Sequence, residues 1–245
     1  MLVGHFAIGL AAKRAEPELS VGTLVFAAML ADVVAFSLVA AGIERFGVVA
    51  GVQRNRLIGE NVVYSHSLLM DILWAALLAG AYFLWRRHAR AAWLLFAVVV
   101  SHWVLDVISH RPDMPVGPGI PVVFGLGLWN SLSATLIVEG GMWLCGIVLY
   151  VSLTRANSAL GRYAFWAGVV VLTLAWLGNI SRPPTPGASA IATGLTSLVF
   201  FACAIGWAYW MEHARELKPW CSSPGDRFPI FHQMPRRPPR ERLNG

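Results

Sequence analysis

Six long apolar stretches, joined by short polar connections, constrain this chain more than any single motif. They run approximately from Ser20 to Gly42, Tyr64 to Trp85, Ala91 to Ser109, Gly127 to Leu153, Tyr163 to Ile180 and Ala188 to Met211. Each is near or above the roughly 20 residues that an α-helix needs to cross a bilayer. In hydrocarbon the backbone must bond within itself, so each stretch reads as a helix and not as a strand. The expected fold is an all-α, polytopic membrane bundle of about six transmembrane helices. Composition agrees: 57% of residues are hydrophobic, 13% are charged and mean hydropathy is +0.60, values of a chain whose solvent is lipid.

The first residues, Leu2 to Ala12, are apolar but too short to span. No basic residue precedes them and Lys13 and Arg14 follow, the reverse of a secretory signal. A short amino-terminal helix packed against the bundle is expected, carrying His5, with Gly9 one turn on for close packing. Residues 1–212 form the expected membrane domain. Residues 213–245, rich in Pro and Arg, read as a disordered basic tail that accounts for much of the net charge of +6. Such a tail suits anionic lipid headgroups. It has no aromatic interleaving or folded module for nucleic acid, and no nucleic-acid partner is expected. Cys145, Cys203 and Cys221 lack metal-site spacing and read as small packing residues. With the amino terminus inside, fourteen of the nineteen lysines and arginines fall on the inner side, which by the positive-inside rule puts both termini in the cytoplasm.

Against this apolar background the segment SHWVLDVISHRPD stands out. His102 and Asp106 are four residues apart and share a helix face, and His110 continues the stripe one turn later. A charged side chain at bilayer depth costs roughly 2.5–3.5 kcal/mol on insertion scales, so these residues mark function by default. Asp32, His66, Asp71 and Glu139 lie in other spans. Imidazole and carboxylate together suit a divalent metal, zinc first, with manganese or iron as alternatives. Tyr64, Ser65 and Ser67 flank His66 and are candidates to orient it. Arg111 is the one basic residue between the third and fourth stretches and is placed to clamp a phosphate or to anchor the interface.

GHFAIGL near the start, the aspartate in MLADVV, YSHSLL and SHWVLDVISHRPDMP, in that order, resemble the YdjM-like bacterial inner-membrane proteins, generally described as membrane-bound metal-dependent hydrolases. The likeness covers about residues 1 to 145. It implies a helical fold similar to zinc-dependent phospholipase C, with His5, Asp32, His66, His102 and Asp106 as metal ligands; Glu139 and His110, read from their own positions, are candidate catalytic residues. The chain departs from the family where Ala31 and Val33 flank Asp32, and where Thr135 precedes Glu139 by four residues in place of a histidine. The expected function is hydrolysis of a phosphoester or lipid-linked substrate by metal-activated water. A proton-coupled permease using the same residues, or a non-catalytic scaffold, are the alternatives.

Overall fold

The computed structural model describes residues 1–48, 57–181 and 189–219. The tail from 220 onward, with Cys221, lies outside the described residues. Among those described are eight α-helices: α1 (Leu2–Ala12), α2 (Val21–Ala28), α3 (Leu30–Ala40), α4 (Leu68–Arg86), α5 (Ala89–Ser109), α6 (Leu132–Leu153), α7 (Ala159–Ser181) and α8 (Ala190–Ala214). Three short antiparallel pairs tie the ends: β1 (Arg45–Val48) with β2 (Leu57–Asn61), β3 (Met114–Pro115) with β4 (Val123–Phe124), and β5 (Thr154–Ala156) with β6 (Arg215–Leu217). The fold is the all-helical bundle the sequence implies. Residues 213–217, assigned by the sequence to the tail, instead finish α8 and form β6.

Helices α4 to α8 are each long and apolar enough to cross a membrane, and α2 and α3 together would make a sixth span. Their outward faces carry exposed Leu84, Trp85, Trp93, Ile137 and Leu174. An apolar surface of that extent is not tolerated in water, and lipid is its natural solvent. Cys145 and Cys203 are also exposed on these helices, so they face outward and do not pack.

Helix α1 lies inside the bundle, packed chiefly on α6 and α2 and also on α5. Val3, Phe6, Ala7 and Leu10 are all buried. Close approach depends on two glycines. A Cβ on Gly9 would lie 2.9 Å from the Cα of Val25 in α2, and one on Gly146 of α6 would lie 2.7 Å from the Cα of Ala7. Small residues of this kind let membrane helices touch backbone to backbone.

The first apolar stretch is not one helix. It breaks at Met29, and α2 and α3 meet at 57°. No glycine or proline stands at the break. Ala28 ends α2, so its carbonyl falls outside the helical ladder, and it is taken up by the ring of His102, 2.8 Å away on α5. Irregular backbone at membrane depth is tolerated where a protein group satisfies it in this way.

Lys13, at the end of α1, donates to Glu212 near the end of α8 at 2.7 Å, and Glu212 accepts the backbone N–H of Val21 at 2.8 Å. The amine of Met1 instead lies beside Asp106, 2.6 Å away, at the other end of α1. Met1 and Glu212 therefore lie at opposite ends of α1.

Candidate metal centre

Five side chains from separate parts of the chain converge near the carboxyl end of α5. His5 comes from the first turns of α1. Asp32 comes from the first turn of α3, immediately after the break. His66 comes from the turn before α4, and His102 and Asp106 from one face of α5. These are the five ligands that the resemblance implies. His66 does not begin a helix, as the apolar pattern suggests, because α4 starts at Leu68 behind Ser67. The helical stripe also ends at Ser109. His110 is extended, and Pro112 disfavours helix at the residue before it.

His102 Nε2 lies 3.4 Å from Asp106 Oδ2 and 3.9 Å from Asp32 Oδ1. His66 Nε2 lies 3.8 Å and 3.6 Å from the same two oxygens. Hydrogen bonds between ionised partners draw in to roughly 2.7–2.9 Å. Two ligands on one tetrahedral ion with bonds of about 2.0–2.2 Å sit roughly 3.3–3.6 Å apart. The observed spacings suit the second case better. His5 joins through the other oxygen of Asp106, at 3.1 Å from Nε2, and its ring stacks on that of His102 with centroids 3.7 Å apart. The groups His5–Asp32–His102 and His66–His102–Asp106 each bring their ligand atoms within 4.8 Å of one another.

The outer bonds fix which nitrogen faces inward. A carbonyl can only accept, so His102 Nδ1 carries the proton that it gives to Ala28. That leaves the Nε2 lone pair of the neutral ring towards two carboxylates, buried and without a hydrogen-bond partner. In the neutral ring, lone pair against carboxylate is repulsive; a proton on Nε2 or a metal ion between them makes the contact attractive, beside the Met1 amine that already pairs with Asp106. His66 has the same design. Ser65 Oγ donates to Glu44 Oε2 at 2.6 Å and so accepts from His66 Nδ1 at 2.9 Å. Glu44 is fully buried, and it also accepts the N–H groups of Tyr64 and Ser65. Imidazole nitrogens aimed by outer carbonyl and carboxylate acceptors are the usual second layer of a metal site. The donor set fits a divalent ion. Of the three residues flanking His66, Ser65 is the one that orients it.

Ser65→Ala severs this link while leaving the backbone bonds to Glu44 in place. Zinc affinity, measured by chelator competition, is expected to fall about 10- to 100-fold. An unchanged affinity would show that the link does not hold His66.

Asp32, His66 and Asp106 of the cluster, with Met1, form one wall of a cavity of about 120 Å³. His110 lines it and bonds through Nδ1 to Asp113 Oδ1 at 3.1 Å, with its ring against Trp129. Glu139 of α6 lines it too, 1% exposed, with neither carboxylate oxygen hydrogen-bonded. The sequence gives no reason to attach α7 and α8 to the site, yet Trp176, Asn179 and Ile180 of α7 and Phe201 of α8 complete the wall. Two sequence candidates stay outside. Asp71 is buried but turned to the backbone N–H of Trp103. Arg111 pairs with Asp113 at 3.2 Å and does not line the cavity.

Comparison with protein-family models, with curated proteins and with solved structures finds no match to this chain.

Proposed function

We propose that this multi-pass membrane protein is a metal-dependent hydrolase of the YdjM-like kind, acting on a phosphoester or lipid-linked substrate. The observation that carries the reading is the buried Nε2 of His102, orphaned and aimed at Asp32 and Asp106 beside a second imidazole of the same orientation. His5, Asp32, His66, His102 and Asp106 would hold the ion, zinc first by donor type. An ion held there would supply Lewis-acid polarisation of a phosphoryl or carbonyl oxygen and would acidify water. His110, fixed through Nδ1 by Asp113, has Nε2 left to exchange a proton with a substrate in the cavity.

Lys13, Arg14, Arg86, Arg90 and Arg155 flank the helix ends remote from the site, which by the positive-inside rule makes that end cytoplasmic and opens the site towards the other face. The bacterial inner membrane is the location that goes with the family resemblance.

The test is hydrolysis of a chromogenic phosphodiester and of phospholipid vesicles by zinc-loaded protein in detergent. His110→Ala is expected to lower the rate about 10²- to 10⁴-fold with metal content unchanged. Hydrolysis that survives both chelation and this substitution would reject the reading. The broken span with Asp32 beside it supports a second reading, since discontinuous helices also form ion sites in transporters. Proton or cation flux into liposomes that is lost in Asp32→Asn, without hydrolysis, would favour that one.

A further inference from the structure

The cavity beside the metal cluster contains three polar groups that nothing in the protein satisfies. Both oxygens of Glu139 and the indole nitrogens of Trp129 and Trp176 are buried without a hydrogen-bond partner. All three residues line the same space, and each is at most 5% exposed. A buried polar group left unpaired costs on the order of 1–3 kcal/mol, so three in one cavity point to an occupant that completes them.

The chemistry of that occupant follows from donor and acceptor roles. Glu139, when ionised, only accepts, and an indole N–H only donates. A phosphate offers acceptors alone and would leave Glu139 repelled. An ammonium offers donors alone and would leave both indoles unpaired. A hydroxyl does both, replacing water with the same bonds. Among the described residues no lysine or arginine lines the cavity, and the Met1 amine that does is already paired with Asp106; Asp32, Asp113 and Glu139 line it as well, which disfavours a free anionic headgroup against Glu139. Beside the polar His66, His110 and Asn179, the residues Phe36, Ile180 and Phe201 of α3, α7 and α8 give the wall an apolar side. At about 120 Å³ the space is roughly eight to twelve times the minimum for one water, enough for a small polyol.

We infer that the cavity binds an amphiphile with a neutral, hydroxyl-bearing polar group, which Glu139 accepts from and Trp129 and Trp176 donate to, its chain lying along α7 and α8. This narrows the hydrolase reading to a neutral lipid-linked substrate in place of a phosphoester and rests on it for what happens to the ligand, but binding itself can be read separately.

Native mass spectrometry of the full chain released from detergent counts bound ion and bound lipid in one spectrum. The probes are 1-monooleoylglycerol, oleoyl lysophosphatidic acid and oleylamine, each against zinc-loaded protein. The expected result is that monooleoylglycerol binds at least tenfold more tightly than either charged probe. Glu139→Leu and Trp176→Phe are each expected to weaken it by a similar factor, with zinc still bound. Equal or tighter binding of a charged probe, or unchanged binding in both variants, would overturn the inference. Loss of zinc in Glu139→Leu would overturn it too, by making Glu139 a ligand of the ion. Monooleoylglycerol bound selectively by protein that holds no zinc would uphold the headgroup site and reject the metal reading.

Discussion

Detergent-purified protein loaded with zinc and dialysed is expected to retain the ion, and a His102→Ala, Asp106→Ala double variant to retain none. The residues are chosen because Asp106 touches His5, His66 and His102 at once, at 3.1, 3.8 and 3.4 Å. Removing both takes one imidazole and the carboxylate that the others share. Protein zinc sites of four ligands are worth roughly 10–16 kcal/mol, so losing two should weaken binding by more than about a thousandfold. Elemental mass spectrometry of samples with matching circular dichroism and elution volume gives the answer. Equal metal in the two proteins would sink the site, as would a parent that holds no zinc, manganese or iron after reloading. Acidification is expected to release the ion, because imidazole must be neutral to ligate.

Gly146→Ala is expected to lower the melting temperature markedly, and Gly141→Ala on the same helix is not. A methyl at position 146 would meet the Cα of Ala7 at 2.7 Å and its carbonyl oxygen at 2.8 Å, both backbone atoms that can move only by shifting α1. Overpacking of this kind costs about 1–3 kcal/mol. A methyl at position 141 meets nothing within 4 Å, and there the substitution should stabilise by roughly 0.4–1 kcal/mol through the unfolded chain. Since α1 carries His5, the Gly146 variant should also bind zinc less tightly. Thermal unfolding of the two variants in the same detergent tests the contrast. Equal shifts would show that the α1–α6 contact is not the tight one.

Much of this was legible in the residues. Length and hydropathy alone mark the spans, because a bilayer leaves a 20-residue apolar segment few conformations other than a helix. Asp32, His66, His102 and Asp106 are conspicuous for the same reason, since a polar group in hydrocarbon needs a partner. His5 was harder to place, because residues 2–12 are too short to span, and only their burial between α2, α5 and α6 brings its ring onto His102. The reading of Cys145 and Cys203 as packing residues failed because hydropathy does not distinguish a helix face turned to lipid from one turned to protein.

Other parts had no local signal. Glu44 follows the first apolar stretch in sequence and looks like a loop acid, but the chain folds back 21 residues later to set Ser65 on it. The break at Met29 carries no glycine or proline, and its partner is a histidine 74 residues away. Trp176, Asn179 and Ile180 sit in a helix with no acid or histidine, so nothing in α7 announces a cavity wall.

By itself, then, the sequence determined the solvent of this protein, its helical class and the identity of the side chains that had to find one another. Hydropathy and the cost of buried charge are local properties, written residue by residue. Tertiary structure alone decided where those side chains meet, which ring nitrogen each histidine turns inward, and which apolar helices close the space beside them. Those depend on contacts between distant segments, and on a helix giving up one carbonyl to a neighbour.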